Sequence, residues 1–189
     1  MSPLPIQAGE EDLFADVRRR YKKKNILLFS RGSACLQELL VDMQGLRHPV
    51  LVLWAFFCAQ EALTRLETSY PADPRPGEAM ALCRQWAQGS VKMPQARHAI
   101  LALHAMAKET DSAVDAALCH ALGHACATVH TGKHAIGLPI YELTAMVLER
   151  GMAGFELPVL DRVNAYRTRL KHVEHQQLEG PWAAFLSDK

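Results

Sequence analysis

Residues 119–134 read CHALGHACATVHTGKH and hold four of the chain's nine histidines and two of its five cysteines. Imidazole and thiolate are common metal ligands and acid–base groups near neutral pH, so any chemistry in this chain is expected here. His120 and His124 stand four apart, about 40° from each other on one helix face. That is the spacing of the two zinc ligands in HExxH, but Ala121 occupies the place of the glutamate base, which excludes that metalloprotease. His130 faces away from His124 by about 120° on a regular helix. His134 lies beyond the break at Gly132. Two readings remain open. One gathers His124, His130 and His134 around a metal, with Glu61 or Cys126 as a fourth ligand and bonds of about 2.0–2.3 Å. The other makes the histidines helix-contact residues whose ring N–H groups bond to carbonyls or carboxylates.

Other catalytic constellations find less support. The five cysteines show no CxxC pair, which speaks against a zinc ribbon or a thioredoxin-like site and for reduced thiols in the cytosol. Cys35 sits beside Leu36 and Leu39, and Cys58 beside Phe57. Thiols in such surroundings are normally inert. No Gly-x-Ser-x-Gly, P-loop or dinucleotide glycine pattern occurs, so hydrolase, NTPase and Rossmann readings lack support.

Lys plus Arg number 21 and Asp plus Glu 20, a near balance that argues against a nucleic-acid binder. The exception is residues 18–24, RRRYKKK, preceded by Glu10, Glu11, Asp12 and Asp16. A helix that is acidic at its start and basic at its end suits the macrodipole. The same run could also attract an acidic protein partner. The first twenty residues do not read as a signal peptide. The longest apolar run, residues 50–59, is half the roughly 20 needed to span a bilayer. A cytoplasmic protein is expected.

The elements that must position these residues are helices. Alanine, leucine, methionine and glutamine are plentiful, apolar residues recur at three- and four-residue spacing, and strand alternation is scarce. Helices are expected over 10–23, 33–44 (capped by Ser33), 49–67, 76–87, 94–108, from Asp111 or Ser112 to before Gly132, 136–150 and 158–177. Residues 26–29 read as a short strand or a connector. The helix after Pro49 is apolar on every side and should be the central buried one. Trp182 and Phe185 are candidates for docking the tail. The expected fold is all-α, a single domain of seven or eight helices packed as antiparallel pairs around one core, with no internal repeat. Asp73 and Arg75 fall in the Pro-rich loop 70–76, and Glu61 on the buried helix needs a partner, with arginine the expected one. Left exposed, that loop would be a rigid recognition surface.

Four stretches then resemble one family. Leu53-Trp54-Ala55 is followed by Cys58-Ala59 and Glu61. Residues 71–76, PADPRP, are followed by Ala79. Trp86-Ala87-Gln88-Gly89 forms the third. The fourth is Gly123-His124-Ala125 with residues 127–130, ATVH, then residues 134–137, HAIG, and Tyr141. Their order and spacing over residues 47–147 resemble bacterial immunity-protein-like helical domains. Leu138-Pro139 departs from the small residues expected there. The resemblance implies an all-helical domain, no established enzymatic activity, and a role as a toxin antidote with a protein partner; no cofactor is expected. By it, His124, His130 and His134 match the pattern and His120 does not, as do Glu61, Asp73 and Arg75 among candidate contact residues. Residues 1–46 then read as an N-terminal helical extension, 47–150 as the immunity-protein-like domain, and 151–189 as a C-terminal helix and tail on the same domain. The expected function is a cytoplasmic binding protein that occludes a toxin, without catalytic residues and without nucleic-acid or membrane partners. The alternative is a metal-binding protein or small metalloenzyme built on His124, His130 and His134.

Overall fold

Seven of the fifteen residues of one helix, Ala113–Ala127, are alanine or glycine. Small side chains let neighbouring helices approach closely, and this helix becomes the hub of the molecule. The computed structural model describes residues 12–175 and 181–187. Among them the regular elements are helices: α1 Ala15–Lys22, α2 Gln37–Asp42, α3 His48–Cys58, α4 Gln60–Ser69, α5 Arg75–Ala87, α6 Met93–Glu109, α7 Ala113–Ala127, α8 Gly137–Arg150, α9 Glu156–His175 and α10 Ala184–Ser187. Consecutive helices α5, α6, α7 and α8 each pack on the next, and α7 also touches α3 and α4. The helix α9 closes the other side against α2, α3 and α8. The all-α single domain read from the sequence is the fold observed.

Several boundaries differ from the expectation, for physical reasons. Residues 26–29 form no strand: Leu28 N–H donates to Thr144 Oγ1 at 3.2 Å and ties an extended connector to α8. Ser33 caps no helix, because its Oγ donates to Asp16 at 2.6 Å and accepts from Ser30 N–H. A 3-10 turn, Ala34–Leu36, replaces the first part of the expected second helix. The expected helix 49–67 is interrupted at Ala59. Together α3 and α4, His48–Ser69, are long and apolar enough to cross a membrane by length and composition, but 67% of that apolar window is buried inside the protein, as in a core helix. Ser112 is the N-cap of α7, its Oγ accepting from Asp115 N–H at 3.1 Å. The apolar α3 is buried as expected, yet the centre is shared with α7, whose small residues admit more neighbours. Expectations for residues 10 and 11 and residues 176–177 lie outside the described residues.

One continuous core runs from Phe14 and Val17 on α1 to Leu186 on α10, with Trp54, Phe29, Phe155 and Tyr166 fully buried. The tail does dock: Ala183 N–H donates to Ala87 O at 2.8 Å, and Phe185 lies 5.7 Å from Trp86. Leu186, not Trp182 or Phe185, is the side chain that becomes fully buried.

Candidate functional site

The crowded stretch splits in two at the end of α7. His120 and His124 share one face of α7, as their spacing requires, and meet His104 from α6 and Tyr141 from α8. A 3-10 turn, Gly132–His134, folds back and brings His134 to the same place. His104 and His120 are joined Nδ1 to Nδ1 at 2.8 Å, so one ring donates its N–H and the other accepts. His124 and His134 approach Nδ1 to Nδ1 at 3.4 Å. The Tyr141 ring stacks on His124 at 5.1 Å between centroids and lies 5.0 Å from His120.

Two glycines make this knot possible. A Cβ on Gly123 would stand 2.6 Å from His104 Cε1, and one on Gly137 would run into the His124 ring. Burial pushes the pKa of all four histidines down, His124 to about 4. The charges that reach them are positive and act in the same direction: Lys108 on His120, and Arg31 on His124 and His134. Near pH 7 the cluster is therefore four neutral imidazoles in a helix interface, joined as two hydrogen-bonded pairs.

His130 goes elsewhere. It lies past the last turn of α7 and stacks on Trp86, with centroids 6.3 Å apart and planes 21° from parallel. The expected ligand set of His124, His130 and His134 is thus not brought together. Its candidate fourth members are also committed. Cys126 is fully buried, its thiol pushed up by the neighbouring Cys83 and by that burial, and Glu61 pairs with Arg162 at 2.8 Å. Among the described residues no group of three or more His, Cys, Asp and Glu is arranged to hold a metal ion. All five cysteines are buried, and burial raises the thiols of Cys35, Cys58 and Cys119 to about 12, far from the thiolate that nucleophilic chemistry needs.

Glu61 finds the expected arginine, but its side chain is 61% exposed. The buried carboxylate on Arg162 is Glu142, 5% exposed. Burial raises the Glu142 pKa, and the Arg162 charge opposes that rise. Its sequence position, one residue after Tyr141 in an apolar helix, gave no sign of this ion pair. Asp73 and Arg75 bind each other at 2.6 Å, and Arg75 also reaches Glu109 at 2.6 Å. They clamp the Pro-rich loop to the end of α6, while Tyr70 OH bonds to Thr110 at 2.6 Å and Asp115 at 3.0 Å. Half-buried and mutually paired, Asp73 and Arg75 act as a structural clasp.

The outward side of residues 130–133 forms a different feature, one that spacing does not reveal. An open groove of about 770 Å³ lies between it and the connector around α2. Arg31, Arg47, His48, His130 and Lys133 line it, with no carboxylate among its lining residues. The Arg31 guanidinium donates to the carbonyl of Lys133, and His48 Nε2 donates to Thr128 O at 2.7 Å. A Cβ at Gly132 would stand 2.8 Å from Leu51 Cδ1, so the glycine lets the turn sit down on α3. Among the described residues Arg47 and Lys133 have no ion-pair partner.

Residues 42–174 match the family described as Imm-5 like putative immunity protein. The chain belongs to this family. The match extends past residue 147, where the resemblance in the sequence ended, and takes in nearly all of α9. No curated protein and no solved structure matches the chain. Within the family region lie the histidine cluster, the Asp73–Arg75 clasp and the Arg162–Glu142 pair. Of the groove's cations, Arg47 and Lys133 fall inside it and Arg31 outside.

Proposed function

We propose that this chain is a non-enzymatic cytoplasmic immunity protein of bacteria, which neutralises a partner toxin by binding and occluding it. We place the contact in the groove of Arg31, Arg47, His130 and Lys133. The observation that carries the reading is the groove's charge. Guanidinium and ammonium groups face open solvent with no carboxylate among the lining residues, on a domain whose family is named for immunity. Such a surface complements an acidic segment, and like-charge partners are rejected at a cost. The toxin is therefore one whose exposed site is acidic. Occlusion needs a rigid shape more than reactive groups, and the neutral imidazoles and buried thiols fit a scaffold role.

The test is growth rescue in cells expressing a panel of bacterial toxin domains. The wild-type chain rescues growth against its toxin, and so does His124→Phe, provided that it folds. The double variant Arg47→Glu with Lys133→Glu does not. Full rescue by the charge-reversed protein would remove the groove from the interface. Loss of rescue in a folded His124→Phe would instead return function to the histidine cluster.

A further inference from the structure

On the opposite flank of the cluster lies a second cavity, of about 800 Å³. Its walls come from Ile26 and Leu27 of the connector, Ala113, Ala116 and Ala117 of α7, and Leu148 of α8. His120 and Tyr141 also line it, and they are the edge of the histidine knot that reaches this space. His120 Nδ1 is held by His104, while its Nε2 and the Tyr141 hydroxyl have no protein hydrogen bond among the described residues. Lys22 and Lys24 line the cavity too, both exposed, and no carboxylate does. Lys24 has φ of +53°, a left-handed backbone that non-glycine residues seldom adopt. It turns the chain sharply out of α1, and Leu28 then anchors the connector to Thr144 on α8. The space is thus roofed by a tethered segment. Ile26, 88% exposed, is a large apolar side chain left uncovered on that roof.

We propose that this cavity binds a small amphiphilic carboxylate, an acyl or aryl chain bearing one acid group. Its volume lies in the usual range for ligand sites, which are mostly apolar with a few placed polar groups. The apolar body lies along the alanine face of α7 beneath Ile26 and Leu27, and the acid group meets Lys22 and Lys24. The charge selects an anion over a neutral or cationic amphiphile, because among the described residues the formal charges on the lining are the two ammonium groups. The proposal does not depend on the toxin-binding role, since the basic groove shares no lining residue with this cavity.

The experiment is calorimetric titration of the full chain with decanoate and, separately, decanol, with sedimentation to follow its oligomeric state. Decanoate is expected to bind saturably at one site, at least tenfold more tightly than decanol. Lys22→Gln with Lys24→Gln alters only exposed side chains, so it leaves the fold intact and erases that preference. Ala116→Phe fills the cavity and abolishes both signals while the helical circular dichroism is retained. The proposal is overturned by absence of saturable binding, by equal affinity for decanol, or by decanoate binding unchanged in the lysine double variant. It is also overturned if the chain forms a dimer that Ala116→Phe disrupts, which would give the cavity to a second copy.

Discussion

The inner and outer sides of one turn behave oppositely. His104, His120, His124 and His134 face inward, lose solvent, and remain stable by shedding charge and bonding in pairs, His104 with His120 and His124 with His134. His130 and Lys133, a few residues away, face outward into a groove that gathers positive charge without opposing it. The inner side spends its polar groups on holding α6, α7 and α8 together. The outer side leaves its polar groups available. A histidine-rich sequence is therefore not by itself a site. What its rings can do depends on which side of a helix end they fall, and here the outward His130 faces the basic groove.

The largest expected effect comes from breaking the inner side sterically. Gly137→Val drives methyl groups into the His124 ring, and overpacking of this kind costs about 1–3 kcal/mol, with strain from the displaced Tyr141 stack added to it. A fall in the urea midpoint with unchanged slope would confirm it, and wild-type stability would mean that the helices are not in this contact. Acid should act next. The histidines bind protons more weakly when folded than when unfolded, so the unfolded state gains protons first as pH falls. Stability is then full above the unfolded value of roughly 6.5 and declines toward the folded value of about 4 for His124. A loss on the order of 2–3 kcal/mol between pH 7 and 4 is expected from that residue. Thermal melts across the range should show it, and His124→Phe should flatten the slope.

On the outer side the expected change in stability is the smallest. Arg47→Glu with Lys133→Glu should shift stability by less than about 0.5 kcal/mol, since neither residue is engaged in an ion pair among the described residues. Its effect should appear only in binding to an acidic partner, and wild-type binding should weaken with added salt as the groove charges are screened.

Much of the fold was legible because helical sequences announce themselves through periodicity, and α5 to α9 fall within a few residues of expectation. Of the two candidate caps, Asp111 and Ser112, it is Ser112 that caps α7, and Gly151 ended α8 with a φ of +79°. What failed were features set by distant partners. Ser33 had the type of an N-cap, but Asp16 and Ser30 claimed its hydroxyl. The central position of α7 depended on small residues, whose value lies in what can approach them. In the candidate site, the shared face of His120 and His124 was readable, and so was the divergence of His130. His104 was not, because it joins from a separate helix through the space that Gly123 leaves. That glycine, beside two histidines and lacking any turn to serve, was the one available signal. The groove was invisible in sequence because Arg31, Arg47 and Lys133 become neighbours only after folding.

The most direct test of the division between the two sides is a nuclear magnetic resonance titration of the labelled chain with a glutamate-rich peptide at low salt and pH 7. The expected result is that shifts concentrate on Arg31, Arg47, His130 and Lys133, disappear in the charge-reversed double variant, and leave the ring signals of His104 and His120 in place. Shifts centred on the histidine cluster, or none in the groove, would contradict it.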